Sequence, residues 1–181
     1  MDFIFGISNY VLGNISLKDI PNIATQALIE GFDTSSLRIL AGLRDNNPWE
    51  IDQYLSSSLK ELNLKIPNNE EAGLNVIIYY LNKIVGREID PILGIEKCIY
   101  EVLYKVRSFS GSKRYAFDKI EFHCLYGLFY EYDDMMNPLV LVSDNYRKKR
   151  ICKIKDEIIE ESNRYLQNIN TLKDKVLNDQ L

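Results

Sequence analysis

The chain has 181 residues, of which 46% are hydrophobic and 27% charged, and this composition is typical of a folded globular protein. The first half carries the negative charge, since residues 1–90 contain 12 acidic side chains against 7 basic ones and the whole chain has a formal net charge of −4. Because phosphate binding needs a concentrated positive face, this balance argues against nucleic acid as the main partner.

Two further features bear on location and on cysteine chemistry. Apolar runs such as NVIIYYL at 75–81 are far shorter than the roughly 20 residues needed to cross a bilayer. The N-terminus carries Asp2 and lacks the basic stretch of a secretory signal, so the sequence predicts a cytoplasmic protein without a membrane partner. Cys98, Cys124 and Cys152 form no CxxC pair and are interpreted as small packed side chains, not as disulfides or zinc ligands.

Helix signals begin near residue 19. Asp19 is the predicted N-cap of a first helix, Pro21 lies in its first turn, and Gly31 follows its end. Its apolar residues recur at spacings of three and four and predict one buried stripe: Ile20, Ile23, Ala24, Ala27 and Leu28. Asp33 is the predicted cap of the second helix, which buries Leu37, Leu40 and Ala41.

The third and fourth helices are predicted from the same signals. Asn47 is the predicted cap of the third, with Pro48 at its first position and Glu50 in a capping-box arrangement. The fourth is predicted to begin at Asn68 or Asn69 and to stop at Gly86. Four helices are therefore expected before residue 90.

The second half continues the pattern. Asp90 and Pro91 open a fifth helix, SFSGS at 108–112 is the clearest loop, and a sixth helix is predicted from about Lys113 to Asp134. A connector at 137–144 and a long final helix at about 145–175 follow. No sustained period-two alternation predicts strands, so we expect an all-α bundle of about seven helices. It is expected to form a single domain over 1–181, with a subdivision near 108–112.

The sixth helix carries the most distinctive stretch, FHCLYGLFYEYDDMM at 122–136, which contains His123, the one histidine of the chain. Histidine is the usual general base near neutral pH, and a pair with Cys98 or Cys152 would make a nucleophile. No second histidine and no catalytic motif support either role. A partly buried or surface histidine is therefore the favoured interpretation, with a His123-dependent hydrolase as an alternative.

Two other charged groups are candidate binding sites. Glu121, Glu131, Asp133 and Asp134 could ligate a divalent cation, but adjacent carboxylates on a helix point about 100° apart and do not converge. The basic stretch RKKRICKIK at 147–155 is followed by DEIIEE, which is typical of a solvated helix face with ion pairs such as Lys153 with Glu157. We expect no metal and no cofactor, and nucleic-acid binding through 147–155 is the weaker interpretation.

The end of the sixth helix suggests protein recognition instead. Phe122, Leu125, Tyr126 and Phe129 form a core stripe, while Tyr130, Glu131, Tyr132, Asp133 and Asp134 continue beyond it. Carboxylates near a helix C-terminus oppose the helix dipole, which is an unfavourable local choice. Tyrosine beside carboxylate suits an interface with a basic partner.

Much of the chain also resembles a known family. Residues 20–95 carry its recurring elements: Ile23-Ala24, Ala27-Leu28, Gly31, Asp33, Ser36-Leu37-Arg38, Leu40-Ala41-Gly42, Glu61-Leu62, Asp90-Pro91 and Gly94. In these elements the sequence is similar to short helical bacterial proteins that include immunity proteins of contact-dependent growth inhibition and related polymorphic toxin systems. The later LYGLFYEYDD and the long final helix also fit.

This resemblance implies a function. The chain would bind and neutralise the C-terminal toxin domain of an effector, commonly a nuclease, and no catalytic residues are carried over. The expected contacts are Tyr130, Glu131, Tyr132, Asp133 and Asp134, with Glu70, Glu71 and Asp52 as further candidates, and Trp49 could anchor an interface. The alternative is a helical scaffold or regulator without a toxin partner.

Overall fold

A computed structural model describes residues 2–44, 47–110 and 115–178, and within these ranges the chain forms nine α-helices and no β-strand. The helices are α1 (Asp2–Val11), α2 (Ile20–Ile29), α3 (Ser35–Gly42), α4 (Pro48–Glu61), α5 (Asn69–Val85), α6 (Pro91–Cys98), α7 (His123–Met136), α8 (Asp144–Gln167) and α9 (Ile169–Asn178). The predictions of an all-α fold and of a long C-terminal helix are confirmed.

Contacts divide the chain into two compact units, Met1–Val76 and Ile77–Leu181. The division falls inside α5. The sequence placed a subdivision near 108–112 instead, and its assignment of a single domain stays a prediction.

The first unit is built around α1 to α4. α1 was not predicted, since Gly6 and Asn9 are poor helix formers, but it buries Phe3 and Ile7. The core cluster of the first unit comprises Phe3, Ile7, Ile20, Ala24, Ala27, Leu37, Leu40, Ile51, Leu55 and Leu59. The predicted stripe of α2 thus contributes three fully buried side chains, while Ile23 and Leu28 are half-buried.

The predicted helix starts are mostly confirmed. The side chains of Asn47 and Asp90 accept backbone N–H bonds at the starts of α4 and α6, at 3.2 and 2.9 Å. α5 begins with a reciprocal pair, in which the Asn68 N–H donates to the Glu71 carboxylate at 2.9 Å and the Glu71 N–H to the Asn68 side chain at 2.8 Å. The predicted reach of this helix to Gly86 agrees with its end at Val85.

The predicted cap of α3 is wrong. Thr34 takes that position, and its hydroxyl accepts the N–H of Leu37 at 3.3 Å. Asp33 instead receives two bonds from the Arg38 guanidinium, at 2.5 and 2.6 Å, on an exposed surface. The bidentate ion pair with Arg38, one turn further along, engages the Asp33 carboxylate, so this carboxylate does not cap the helix. Arg38, one of the charged residues in the family resemblance, therefore makes an ion pair within the chain.

Glu61, at the end of α4, links that helix to the start of α3. Its carboxylate accepts bonds from the Ser36 hydroxyl at 2.6 Å and from the Ser36 N–H at 3.1 Å. The Ser36 hydroxyl, followed by the Ser36 N–H, lowers the pKa of Glu61 below its ordinary value.

We expect Glu61→Gln to reduce the acid sensitivity of folding. A depressed pKa contributes stability above the unfolded-state pKa and loses it as pH falls through the folded-state value. The wild type should therefore lose more Tm than Glu61→Gln between neutral pH and about pH 3, as measured by thermal denaturation. Glu160→Gln, at an exposed carboxylate on α8, is the control, and equal acid losses in all three proteins would contradict the expectation.

The second unit is built from the end of α5, α6, α7, α8 and α9. Within it α7 packs on α8, and α6 contacts both. Its buried side chains include Ile77, Leu81, Ile84, Ile95, Cys98, Val102, Phe109, Ile120, Phe122, Leu125, Ile154, Ile158 and Tyr165. The predicted final helix is interrupted at Asn168, which ends α8 and precedes α9.

The predicted start of the sixth helix is wrong. Lys113 lies outside the described residues, but residues 115–122 form turns and a 3-10 turn at Asp118–Ile120, and α7 begins only at His123. Phe117 and Glu121 flank this turn with φ of 60° and 57°. Phe117, Ile120 and Phe122 are all buried, and a regular helix would not direct residues at these spacings to one side. Tertiary burial therefore overrides the local helical pattern.

Candidate partner-binding site

An aromatic surface joins α7 to the segment that follows α6. We call the side chains of Tyr100, Tyr104, Tyr126 and Tyr130 the tyrosine patch. Ring centroids are 5.6 Å apart for Tyr100 and Tyr104 and 4.7 Å apart for Tyr126 and Tyr130. The Tyr104 and Tyr130 hydroxyls lie 2.8 Å apart and bridge the two segments. Three of the four rings are exposed and Tyr126 is half-buried.

Two unusual backbone features support this patch. A π-helical turn at Ile99–Leu103 follows α6 and carries Tyr100, with Tyr104 directly after it. Phe117 lies beneath the patch in the left-handed region, and its ring is 4.9 Å from that of Tyr126 and 6.4 Å from that of Tyr104. Left-handed aromatic residues and π-turns both occur preferentially at functional sites.

The environment of Tyr126 favours its neutral hydroxyl. Burial, followed by the hydrogen bonds with Tyr104 and Tyr130, raises the pKa of Tyr126 well above its ordinary value. The hydroxyl of Tyr126 lies 3.5 Å from that of Tyr104. The patch therefore offers hydrogen-bonding groups on an apolar surface, the combination that makes tyrosine common at protein interfaces.

Two of the predicted carboxylates extend the patch. At 100° per residue, Tyr126, Tyr130, Asp133 and Asp134 fall within an arc of roughly 100° on α7. Asp133 and Asp134 are exposed, and in the described part of the chain their carboxylates form no ion pair. The exposed face of α7 thus continues from tyrosine hydroxyls to two exposed carboxylates.

The other two members of the predicted run face elsewhere. The Glu131 carboxylate receives two bonds of 2.5 Å from the Arg150 guanidinium, which also contacts Glu157 at 2.9 Å. Glu131, with Glu157, raises the pKa of Arg150. Tyr132 is half-buried on the side of α7 opposite Tyr130. Five consecutive residues therefore do not form one contact surface, because a helix distributes them around its axis.

The remaining candidates lie in the first unit. Asp52 is exposed on α4, Glu71 is held by the N-terminal cap of α5, and Glu70 is half-buried beside it. Trp49 is 75% exposed after the Pro48 start of α4, as expected for an anchor. These residues are separate from the tyrosine patch in sequence and belong to a different compact unit.

His123 is half-buried, in agreement with the favoured interpretation. Its ring stacks on Tyr115 with centroids 5.6 Å apart, and its Nδ1 lies 3.5 Å from Asp118 Oδ1, too far for a good hydrogen bond. Cys98 is fully buried, and burial raises the pKa of its thiol, which disfavours a thiolate nucleophile. Cys124 and Cys152 are exposed, so the prediction that all three cysteines pack inside holds for Cys98 alone.

The basic stretch 147–155 is largely engaged within the chain. Arg150 binds Glu131 and Glu157, Lys153 lies 3.3 Å from Glu157, and Lys155 binds Asp90 at 2.5 Å. The predicted ion-paired face is confirmed. Among the described residues no group of three or more His, Cys, Asp or Glu side chains is arranged to hold a metal ion.

Comparison with protein-family models, with curated proteins and with solved structures gives no significant match. Within the described part of the chain, every helix is too short or too polar to cross a membrane. Sequence reasoning found Tyr130, Asp133 and Asp134 but missed Tyr100 and Tyr104. The spacing of four residues between these tyrosines in YEVLY could have indicated a shared face.

Proposed function

We propose that this chain is a binding protein that neutralises a toxin domain, as an immunity protein does, through the tyrosine patch together with Asp133 and Asp134. The observation that carries this proposal is the exposed face of α7, where tyrosine rings stand beside two carboxylates that form no ion pair among the described residues. The resemblance of residues 20–95 to immunity proteins supports the choice of partner.

Physical chemistry favours a basic partner. Exposed carboxylates raise the association rate with a positively charged surface, and rigid tyrosine rings supply contact area with little loss of side-chain entropy. Nuclease toxins need positive clefts for their phosphate-backbone substrate. A face with tyrosine hydroxyls and the two exposed carboxylates of Asp133 and Asp134 is complementary to such a cleft.

Charge reversal tests the proposal. The first step is to identify a toxin domain that the chain binds, beginning with any secreted effector encoded by a neighbouring gene. The C-terminal domain of that effector is then used as an inactivated variant for binding and in active form for protection of cells. We expect Asp133→Lys with Asp134→Lys to raise Kd by on the order of a hundredfold and to abolish protection. Wild-type binding should weaken as salt is raised. Titration calorimetry and co-expression measure these results.

Single reversals provide the matched comparison. Asp134→Lys should weaken binding, whereas Glu160→Lys, the same change at an exposed site on α8, should leave it intact. Tyr104→Ala with Tyr130→Ala should also weaken binding, with Tyr146→Ala as the exposed control. Unchanged protection by all patch variants would show that this surface does not bind the toxin domain. If the chain neither binds nor neutralises a toxin domain, the proposed function is wrong.

A further inference from the structure

The tyrosine patch offers a ligand more hydrogen-bond acceptors than donors. The hydroxyl of Tyr104 is central, because it lies 2.8 Å from the hydroxyl of Tyr130 and 3.5 Å from that of Tyr126. A tyrosine hydroxyl has one proton to donate and two lone pairs that accept. Each hydrogen bond within such a cluster uses one proton and one lone pair, so the acceptors left for a ligand outnumber the donors. The cluster therefore favours a ligand group that donates hydrogen bonds.

Two exposed carboxylates continue this acceptor surface. Asp133 and Asp134 follow Tyr130 at spacings of three and four residues on α7, so both are neighbours of that tyrosine on the helix surface. An ionised carboxylate accepts hydrogen bonds and donates none. A ligand that is an anion or a pure acceptor is therefore repelled here, whereas a cation that carries several donors is attracted.

The tyrosine rings also favour a cation. Tyr100 is 54% exposed, Tyr104 is 50% exposed and Tyr130 is 38% exposed, so these rings are accessible to a ligand. The face of an aromatic ring carries partial negative charge and attracts a cation placed over it. The hydroxyl contact between Tyr104 and Tyr130 and the ring contact between Tyr126 and Tyr130 hold the side chains together. Little side-chain entropy therefore remains to be lost on binding.

These properties suit a guanidinium group better than an ammonium group. The guanidinium of arginine is planar, carries five N–H donors and no acceptor, and stacks on an aromatic ring while its edge stays free for hydrogen bonds. The ammonium of lysine is a compact and strongly hydrated charge, which gains less from a ring face. A surface that combines ring faces with several acceptors therefore distinguishes arginine from lysine.

Two arginines of the chain contact α7 or its C-terminal end, and both are engaged elsewhere. Arg150 binds Glu131, which lies on another side of α7. Arg147 donates to backbone carbonyls at the end of α7 and in the connector to α8. In the part of the chain that the structure describes, neither forms an ion pair with Asp133 or Asp134. The two carboxylates beside the patch are thus left to a cation of a partner.

We propose that the tyrosine patch binds an arginine side chain of the partner protein. The guanidinium stacks on a tyrosine ring, and its N–H groups donate to the hydroxyls of Tyr104 and Tyr130 and to a carboxylate of Asp133 or Asp134. The identity of the partner rests on the proposed function, in which a toxin domain with a positive cleft is bound. Within that function the tyrosines select arginine over lysine, while the carboxylates add affinity for either cation.

Peptide binding tests the arginine site without a toxin domain. The probes are hexa-arginine and hexa-lysine, two peptides of equal charge, titrated calorimetrically into the full chain at one ionic strength. We expect the wild type to bind hexa-arginine about fivefold more tightly than hexa-lysine. Tyr104→Leu with Tyr130→Leu should abolish this preference, and Tyr146→Leu, at an exposed tyrosine of α8, should retain it. Equal affinity of the wild type for both peptides would overturn the proposal, as would a preference that survives the paired leucine changes.

Conservative changes separate the rings from the charges. Asp133→Asn with Asp134→Asn should weaken the binding of both peptides by a similar factor and keep the preference for arginine, and Glu160→Gln should change neither. Tyr104→Phe with Tyr130→Phe keeps the rings and removes two acceptors, so its preference should lie between those of the wild type and the paired leucine variant. If the asparagine variant loses the preference for arginine, the carboxylates select the ligand and the proposal is wrong.

A toxin domain that the chain binds separates the arginine site from the proposed function. Each surface arginine of that domain is changed to lysine in turn. One such change should raise Kd about fivefold with the wild type and leave it unchanged with Tyr104→Leu and Tyr130→Leu combined. If the toxin domain is bound but no arginine change depends on the tyrosines, the proposed function stands and the arginine site is wrong. If the peptides show the preference but no toxin domain is bound, the arginine site stands and the proposed function is wrong.

Discussion

Phe122→Ala is expected to lower the free energy of unfolding by about 3–5 kcal/mol, the largest effect we predict for a single substitution. Phe122 is fully buried, precedes α7 and lies edge-on to Tyr165 of α8, with ring centroids 5.8 Å apart. Removing the ring leaves a cavity between these elements and removes the contact that fixes the entry of α7. Urea denaturation followed by circular dichroism measures the loss.

Phe129→Ala is the matched control for this change. Phe129 is also an aromatic residue of the predicted α7 stripe, but it is half-buried. Because less apolar surface leaves water at this position, its truncation should cost clearly less than that of Phe122. Equal losses for the two variants would mean that the burial of Phe122 does not determine the stability of this region.

Gly94→Ala is expected to destabilise the protein by about 1–3 kcal/mol, although alanine is the better helix former. A Cβ at this position in α6 would lie 2.6 Å from two side-chain atoms of Ile84 and 2.9 Å from Ile89. Ile84 is fully buried, so it cannot move aside without disturbing the core. Thermal and urea denaturation of the variant measure the cost.

Gly127→Ala should have the opposite sign. A Cβ at Gly127 in α7 meets nothing within 4 Å, so only the helix propensity and the unfolded-chain entropy change. We expect a gain of about 0.5–1 kcal/mol. If both alanine variants were stabilising, the close packing of α6 against Ile84 would be refuted.

Local signals predicted most of the helices but not all of their ends. Pro48 and Pro91 mark the starts of α4 and α6 because proline at the first helical position sacrifices no hydrogen bond, and Asn47 and Asp90 cap them. The start of α3 was misassigned because two neighbouring residues, Asp33 and Thr34, can both cap. The choice between them depends on Arg38, one turn further along, which binds Asp33 and leaves Thr34 to cap the helix.

The candidate site was predictable only along one helix. Tyrosine and aspartate in YEYDD indicated a recognition surface, and Tyr130, Asp133 and Asp134 are placed on one exposed face of α7. Glu131 could not be excluded from this surface in advance, because its partner Arg150 is 19 residues away. Tyr104 could not be included, because its contact with Tyr130 joins positions separated by 26 residues.

The amino-acid sequence by itself determined that this chain is helical, since the spacing of its apolar residues and the capping residues act within one or two turns. The tertiary structure decided where α7 begins, that Glu131 of this helix pairs with Arg150, and that Leu139 and Leu141 are exposed. The first two of these outcomes depend on side chains far apart in the chain that compete for the same buried space or the same ionic partner. The outcome of such competition depends on how the helices pack, so it cannot be predicted from a local sequence pattern.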